Sequence, residues 1–521
     1  MTSAGPSSPP PQQQPPSRSR PGAFTDRTLA PQGFDPLRSQ GFMTFLMSGI
    51  ALVVFFSLFV LHDRFDQAPH RLFKMLAGLV VMIVFLMKPR WALAGIVLAM
   101  PYVEWLPKSG LPMLNSLNLL IGSLAFSAFV SSYTTRTSLL SKNSLRNPIL
   151  LFFAWSILSW LHAWVFPLST YPAGYFFRDM LQDYIGFYMF LFIHRLLDGM
   201  APEDAKKWIR RTALLLLVTG ALGTLGAIWQ SSGLRYGERV GGGFGDINKM
   251  AAFYAMAVLW TFSVGRVLLR GAGGRLVLAG ASVLSVLGLI LPNSRGGFVA
   301  FLVAGIGFAL SRGFKGLVFG LLFAASIPFW VPQYVEDRVM ETVGVLEEED
   351  RYGAVNETAG GRLVFWQAAL GIIGDHPVFG VGWGIMPEAT GIVLDTARST
   401  HNFFLEFTGE MGIPALILLA VILGRVIARG YRLARSQAPE WVRGIGEGAV
   451  WVAVALIVAN FFGSRFLGFY LSGYLFVAAA LVERALSPDL WPLRREGRGS
   501  ITGRERPGPL RGPRTQGKAD A

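Results

Sequence analysis

The sequence predicts an all-α polytopic membrane protein with about 12 to 14 transmembrane helices and one large periplasmic loop. Hydrophobic residues make up 52% of the 521 residues and charged residues only 15%, whereas about 25% of the residues in ordinary globular proteins are charged. The formal net charge is nevertheless +15, a pattern typical of an apolar body with basic loops. No nucleic-acid partner is expected, because the basic residues of a soluble nucleic-acid-binding protein would have to cover its surface. Cysteine is absent, which excludes disulfides, iron–sulfur clusters and cysteine nucleophiles.

The chain divides into two polar tails and an apolar body. Residues 1–40 hold nine of the 30 prolines and are predicted to be a disordered cytoplasmic tail, because they bury too little apolar surface to offset the cost of ordering. The basic, Gly/Pro-rich residues 485–521 are predicted to form a second such tail. Transmembrane helices are expected over 41–331 and 402–484, with the large loop at 332–401 between them. The predicted spans lie at roughly 41–61, 72–87, 91–105, 111–133, 149–166, 180–197, 213–230, 250–265, 276–292, 298–311, 316–331, 403–427, 445–463 and 466–483.

The distribution of charge sets the predicted orientation of these spans. With both tails inside, 33 of the 47 Lys and Arg residues fall on the cytoplasmic side, as the positive-inside rule requires. An even number of spans returns both termini to that side. The loop at 332–401 is therefore predicted to be external, which means periplasmic in a Gram-negative cell.

A few arginines lie on the predicted outer face, where topology does not require basic residues. They are Arg178 near Asp179 and Asp183, Arg295 in an Asn-Ser-Arg-Gly-Gly turn, Arg362 after two glycines with Trp366 one helical turn later, and Arg465 after Gly-Ser. A single boundary arginine is more often a side chain that snorkels toward the headgroups. Several on one face favour phosphate binding, because the guanidinium fork matches phosphate oxygens. A lipid-borne ligand of that charge would be a polyprenyl diphosphate.

A second cluster of polar residues lies where the large loop re-enters the membrane. His401 precedes Asn402, Glu406 and Glu410, whose spacing puts an amide and two carboxylates on one face of a helix. Carboxylates within a span are costly and usually functional. An imidazole accepts a hydroxyl proton near neutral pH, which suits a general base. The alternative is a histidine that caps the helix or forms local hydrogen bonds.

Two glycine-rich stretches, 376–384 and 241–245, are predicted to be tight external turns that allow close backbone approach. Neither follows a strand or precedes Gly-Lys-Ser/Thr, so neither predicts a nucleotide site. The acidic run at 347–350 is predicted to be a solvated loop. No His/Asp pattern with metal-ligand spacing occurs, so we expect a mechanism without a metal or another cofactor.

Four patches of the sequence, in chain order, resemble the O-antigen ligase and polymerase superfamily of bacterial envelope enzymes. The first is the segment 243–251, which has Ile247 where proline is usual, and the second is the Ser-Arg-Gly turn at 294–297. The third is Gly361-Arg362 with Trp366, followed by the His-Pro-x-x-Gly-x-Gly motif at 376–382. The fourth is Thr400-His401-Asn402 with Leu405, Glu406 and Gly412. The patches cover roughly 240–415 of the chain.

The resemblance implies a GT-C-like, metal-independent, inverting glycosyltransferase of the bacterial inner membrane, with its active site facing the periplasm. It would transfer a glycan from undecaprenyl diphosphate to a sugar hydroxyl of the lipid A core in surface polysaccharide synthesis. By motif, Arg295 and Arg362 would hold the diphosphate, and His401 would act on the acceptor hydroxyl. The residues predicted to bind substrate are Arg178, Arg465, Asn402, Glu406 and Trp366.

Three other functions remain open at this stage. A polymerase would join two lipid-linked repeat units, and a third variant would transfer the glycan to protein; both need the same donor site. A flippase for the lipid-linked oligosaccharide would also handle a diphosphate. Transporters, however, are often built from internal repeats, and the two halves of this chain show no convincing self-similarity.

Overall fold

The computed structural model is built from helices, and no β-strand occurs among the residues it describes. Those residues are 89–105, 116–166, 173–231, 239–318, 320–322, 359–394, 399–463 and 466–491. The helices are α1 (Pro89–Ala99), α2 (Ser116–Thr135), α3 (Arg146–Val165), α4 (Ala173–Asp183), α5 (Ile185–Asp198), α6 (Pro202–Ser231), α7 (Ile247–Trp260), α8 (Ala272–Ile290), α9 (Arg295–Ser311), α10 (Ala359–Asp375), α11 (Met386–Leu394), α12 (Phe403–Ala434), α13 (Glu440–Asn460) and α14 (Phe469–Ala485). The all-α prediction is confirmed for this part of the chain.

Several helices are suited to cross a membrane. Within the described ranges, six are long and apolar enough to do so: Arg146–Val165, Pro202–Ser231, Ile247–Leu268, Ala272–Ile290, Phe403–Ala434 and Glu440–Asn460. The chain is therefore a multi-pass membrane protein. The predicted spans at 41–61 and 72–87, most of 316–331, the tail at 1–40 and most of 485–521 lie outside the described residues. The total of 12 to 14 spans, the domain boundaries and the GT-C-like architecture stay predictions.

Helix α14 lies at the centre of the bundle. Every one of its 17 residues is buried, and it packs against α5, α12, α13 and the early helix α6. A helix that is apolar on all sides is expected to be enclosed by other helices. Helix α8 is peripheral by contrast: it exposes Leu276 and Val277, at 76% and 56% of their surfaces, as expected of a face toward lipid.

Two of the predicted spans are interrupted rather than continuous. The segment predicted at 180–197 contains the end of α4 and nearly all of α5, with Tyr184 at φ −82° and ψ 9° between them. Within α12, Gly412 has a non-helical backbone (φ 81°, ψ 167°) and Pro414 follows. Glycine adopts this left-handed conformation without a steric cost, and proline lacks the N–H that would continue the helix. Residues 403–411 therefore form a short separate helix.

Ion pairs join the helix ends that the charge pattern assigns to the cytoplasm. Arg429 on α12 donates two hydrogen bonds to Glu483 on α14, at 2.8 and 3.0 Å. Arg266 and Arg312, which follow α7 and α9, both pair with Glu447 on α13. The opposite ends of α7 and α9 carry the residues of the predicted site.

Candidate active site

The first part of the candidate site lies where α7 and α9 begin. Asp246 caps α7, since its Oδ1 accepts hydrogen bonds from the backbone N–H groups of Asn248 and Lys249 at 2.7 and 2.8 Å. Ser294 precedes α9 but makes no side-chain cap bond there. Its Oγ instead donates to Asn248 Oδ1 over 2.7 Å. Arg295, the first residue of α9, is thereby fixed beside the start of α7.

A tight turn leads into Arg295, as the sequence predicts. Helix α8 ends at Ile290, and Asn293 N–H donates to the Ile290 carbonyl at 2.9 Å. Asn293 adopts a left-handed conformation (φ 46°) and is buried. A Cβ at Gly297 would lie 2.4 Å from Ala251 Cβ, so glycine is required for α7 and α9 to approach this closely. The side chain of Arg295 is half-buried.

The glycine-rich segment 241–245 serves the packing of this region. A Cβ at Gly243 would lie 2.2 Å from the Pro101 carbonyl oxygen, and Gly245 has φ 66°. The segment therefore packs on the 3-10 turn Met100–Trp105. The prediction of close backbone approach is confirmed here.

The second part of the candidate site is the turn that enters α12. His401 is half-buried and has a left-handed backbone (φ 53°), and its N–H donates to Ser399 Oγ at 3.2 Å. Glu406 Oε2 accepts from Ser399 Oγ at 2.6 Å and from Thr400 Oγ1 at 3.4 Å. Asn402 Oδ1 caps the helix by accepting two backbone N–H groups. These contacts shape the turn that presents the imidazole, while substrate binding by Asn402 and Glu406 stays a prediction.

Helix α10 is tied to the same turn. Trp366 Nε1 donates to the Thr400 carbonyl at 3.0 Å, directly before His401. Arg362 lies one helical turn before Trp366 on α10, and its side chain is half-buried. Residues of α10 and α11 share a small apolar cluster, which includes Ala369 and Met386 and packs against Leu405. The structure thus groups three of the predicted site residues: Arg362, Trp366 and His401.

The glycine motif at 376–384 packs this region against α12 through backbone hydrogen bonds. Gly380 and Gly382 have φ values of 69° and 109°. The backbone N–H of Val381 donates to the Gly409 carbonyl at 2.8 Å, and that of Gly382 to the Glu410 carbonyl at 3.0 Å. A Cβ at Gly380 would lie 2.3 Å from the carbonyl carbon of Glu410. The prediction of a turn with close backbone approach is confirmed at this motif too.

The break in α12 is held from two sides. At Gly412, a Cβ would lie 1.8 Å from the Val378 carbonyl oxygen, so the glycine motif also contacts the break. On the other side, Trp155 Nε1 on α3 donates to the Met411 carbonyl at 3.0 Å. That hydrogen bond satisfies a carbonyl that the interrupted helix leaves without its intrahelical partner.

Charged residues connect the two parts of the site. Asp183, at the end of α4, interacts electrostatically with Asp179 on the same helix, with Lys249 on α7 and with Glu410 on α12, and Glu410 interacts in the same way with Glu406. The Glu410 carboxylate is buried and accepts backbone hydrogen bonds from Gly384 and Met386. The sequence carries no signal for this convergence, because spacing along the chain does not reveal which helices meet.

The remaining predicted positions are only partly described. Arg178 lies in α4, the helix that ends at Asp183, while its side chain and all of Arg465 lie outside the described residues. The next residue, Phe466, stacks on Phe403 at the start of α12, with ring centroids 5.3 Å apart.

No group of three or more His, Cys, Asp or Glu side chains suited to a metal ion occurs within the described ranges. The metal-free mechanism stays a prediction.

Comparison with known families matches residues 280–420 to the model described as O-antigen ligase. This segment is similar to the O-antigen ligase family. A comparison with curated proteins gave no significant match. The predicted resemblance to the O-antigen ligase superfamily is confirmed, and with it a role of ligase or polymerase type in surface polysaccharide synthesis.

The matched segment contains most of the candidate site. Arg295, Arg362 and His401 all lie within the matched residues, as do the glycine motif and the break in α12. Asn248 and Lys249 lie outside the matched segment, on α7, which packs against α9 within it. Asp183, at the end of α4, also lies outside it. Earlier helices of the bundle therefore contribute to the candidate site beside the matched segment.

Proposed function

We propose that the protein transfers a glycan from undecaprenyl diphosphate to a sugar hydroxyl of the lipid A core, on the periplasmic face of the bacterial inner membrane. The observation that carries this proposal is the fixed position of Arg295 and of the Arg362–His401 region within a segment similar to the O-antigen ligase family. The partners are then the lipid-linked glycan, the acceptor glycolipid and the surrounding membrane lipids.

The donor's diphosphate is assigned to Arg295 and Arg362. Arginine suits this role because its planar group binds phosphate oxygens in a bidentate manner and stays charged. As the bond between the sugar and the diphosphate breaks, negative charge develops on the leaving oxygen. Fixed guanidinium groups stabilise that charge without reorganisation at the moment of reaction. The energy of the reaction resides in the donor, so no nucleotide is required.

The acceptor hydroxyl is assigned to His401. Its oxygen attacks the anomeric carbon from the side opposite the diphosphate, the anomeric carbon–oxygen bond breaks, and the hydroxyl proton passes to the imidazole. The configuration at that carbon is inverted. The contacts of Ser399, Thr400 and Glu406 support the role of His401, because they fix the turn on which the imidazole is carried.

The test is formation of a glycosidic bond by the purified full-length protein in detergent, supplied with lipid-linked glycan and lipid A core. We expect Arg295→Ala and His401→Ala each to lower the rate by about 10²–10³-fold, typical of losing one group that stabilises the transition state. Arg275→Ala is the matched control, since Arg275 is exposed near the start of α8 at the predicted inner end. Full activity of both site variants would overturn the assignment.

The acceptor distinguishes a ligase from a polymerase or a protein glycosyltransferase. In a deletion strain, loss of a ligase leaves polymer on the lipid carrier, whereas loss of a polymerase leaves single-repeat caps on the lipid A core. Gel analysis of surface polysaccharide separates these outcomes, and accumulated lipid-linked polymer is the result expected for the proposed ligase.

A further inference from the structure

Helix α10 carries an exposed apolar stripe, although it belongs to the loop predicted to be external. Leu363 and Leu370 are 57% and 58% exposed, and Val364 is exposed beside Leu363. The exposed Gln367 lies on the same face, because residues three, four and seven positions apart line up along a helix. We call Leu363, Val364 and Leu370 the α10 stripe.

The rest of α10 offers no surface suited to water. No charged residue occurs between Arg362 and Asp375, whereas the outer face of a helix in water is typically polar or charged. The face opposite the α10 stripe is buried, with Ala369 and Ile372 in the apolar cluster shared with α11. A helix that is apolar on all sides is expected to be enclosed by protein or by lipid.

Helix α3 shows at what depth the chain after α10 lies. Its 20 residues extend about 30 Å, which is about the thickness of the hydrocarbon core of a bilayer. The exposed Trp164 lies at its outer end, and tryptophan is enriched at the boundary between membrane and water. A Cβ at Gly382 would lie 2.6 Å from the Cβ of Ala163. The glycine motif that follows α10 is therefore packed against α3 at this boundary.

Helix α12 shows that the apolar surface continues from α10 to the lipid-facing surface of the bundle. Ile413 N–H donates to the Pro377 carbonyl at 2.8 Å, so the exposed Val378 lies next to a residue bonded to the exposed Ile413. Ile417, one turn further into this spanning helix, is exposed as well. At its other end, α10 is tied to the turn that enters α12 by its indole N–H. Helix α10 thus runs beside the outer end of α12 rather than away from the membrane.

We propose that α10 lies in the surface of the outer leaflet, with the α10 stripe in contact with lipid acyl chains and with Arg362 and Asp375 among the headgroups. The partner of this surface is lipid, because the surface carries no charge and continues one that faces lipid. A helix of this kind buries its apolar face by about 5–10 Å at the boundary between headgroups and acyl chains. The inference goes beyond the proposed function and does not depend on it.

The test measures what contacts α10 in the full-length protein, reconstituted in vesicles of phosphatidylcholine and phosphatidylglycerol. The chain has no cysteine, so a nitroxide label can be placed on Leu363→Cys, Leu370→Cys or Gln367→Cys alone. The last variant leaves the α10 stripe intact. Spin relaxation then reports collisions with oxygen, which concentrates in lipid, and with a water-soluble nickel complex. We expect the ratio of oxygen to nickel accessibility to be at least about tenfold higher at these positions than at Lys207→Cys, because a polar complex is excluded from hydrocarbon.

Two control positions bracket the result. Leu276→Cys lies on the lipid face of α8, one turn from the end of that helix, and should give a ratio similar to that of the α10 positions. Lys207→Cys represents water, since its side chain is exposed in a region predicted to be cytoplasmic.

Two outcomes would overturn the inference. A ratio at the α10 positions equal to that at Lys207→Cys would mean that water covers α10. Low accessibility to both reagents would mean that another segment of the chain or a second copy covers the α10 stripe. No substrate is needed for this measurement, so its result is independent of whether the protein transfers a glycan.

Discussion

Trp366 on α10 donates its indole N–H to the carbonyl oxygen of Thr400 at 3.0 Å. This contact joins the helix that carries Arg362 to the residue directly before His401. Arg362 and His401, which are separated in the sequence, are thereby placed in the same part of the structure. Precise placement of this kind matters for catalysis, because reacting groups must be held in a near-attack geometry.

Replacing Trp366 with phenylalanine keeps the aromatic ring but removes the N–H donor. Because a typical hydrogen bond contributes about 0.5–1.5 kcal/mol, we expect Trp366→Phe to lower the rate of glycan transfer by about 3- to 10-fold. The measurement is turnover by the purified protein at saturating donor. Trp91→Phe is the control, since Trp91 is 59% exposed near the start of α1. Equal activity of the two variants would contradict a positioning role for Trp366.

The break in α12 depends on Gly412. A Cβ at this position would lie 1.8 Å from the Val378 carbonyl oxygen, and the backbone is left-handed at φ 81°. We expect Gly412→Ala to destabilise the fold by about 2 kcal/mol or more, from backbone strain together with the clash. Gly424→Ala, in the same helix with nothing within 4 Å of its Cβ, should raise the melting temperature slightly or leave it unchanged. Equal melting temperatures of the two variants in detergent would show that the break is dispensable.

The sequence revealed the local features of the site because those features depend on nearest neighbours. The turn before Arg295 and the glycine motif at 376–384 both carry glycine or asparagine where the backbone is left-handed or crowded. Local steric constraints favour these residue types, and the residue types are visible in the sequence itself. The structure accordingly contains both turns where the sequence predicts them.

The hydropathy pattern did not predict the interruptions at Tyr184 and Gly412, and the reason is physical. A window of about 20 residues averages over a break of one residue, and apolar residues continue on both sides of each break. Helical spacing likewise predicted that Asn402 shares a face with Glu406 and Glu410, whereas Asn402 caps the helix from just outside it. The electrostatic interaction between Asp183 at the end of α4 and Glu410 on α12 depends on tertiary packing, which no local pattern encodes.

The hydrogen bond from Ser294 to Asn248 offers a direct test of how Arg295 is positioned. We expect Ser294→Ala and Asn248→Ala each to lower transfer several-fold, and the double variant to lower it no further than the worse single variant. A double-mutant cycle should give a coupling of about 1 kcal/mol, the typical value of one hydrogen bond. Ser436→Ala, at the other end of the bundle, is the control. Additive effects of the two substitutions would contradict the linkage.

The pair of Arg429 and Glu483 should contribute to stability rather than to catalysis. The Glu483 side chain is only 3% exposed and Arg429 25%, so Glu483→Gln leaves a partly buried arginine without its counter-charge. Loss of one partner of a buried pair typically costs about 3–5 kcal/mol, and we expect a lower melting temperature. Glu203→Gln is the control, because Glu203 is 75% exposed in its pair with Lys206 and surface pairs contribute about 0–1 kcal/mol. Equal melting temperatures would contradict the structural role.

The predicted orientation can be tested with single cysteines, because the chain contains none of its own. Val393 on α11 is 56% exposed and belongs to the loop predicted to be external, while the Lys207 side chain is 66% exposed in a region predicted to be cytoplasmic. We expect a membrane-impermeant maleimide to label Val393→Cys in intact spheroplasts, and to label Lys207→Cys only after the membrane is permeabilised. The unmodified chain provides a background without thiols. The reverse labelling pattern would place Arg295, Arg362 and His401 in the cytoplasm, where an acceptor on the periplasmic lipid A core is out of reach. Such a result would refute the ligase proposal even if the purified protein formed a glycosidic bond.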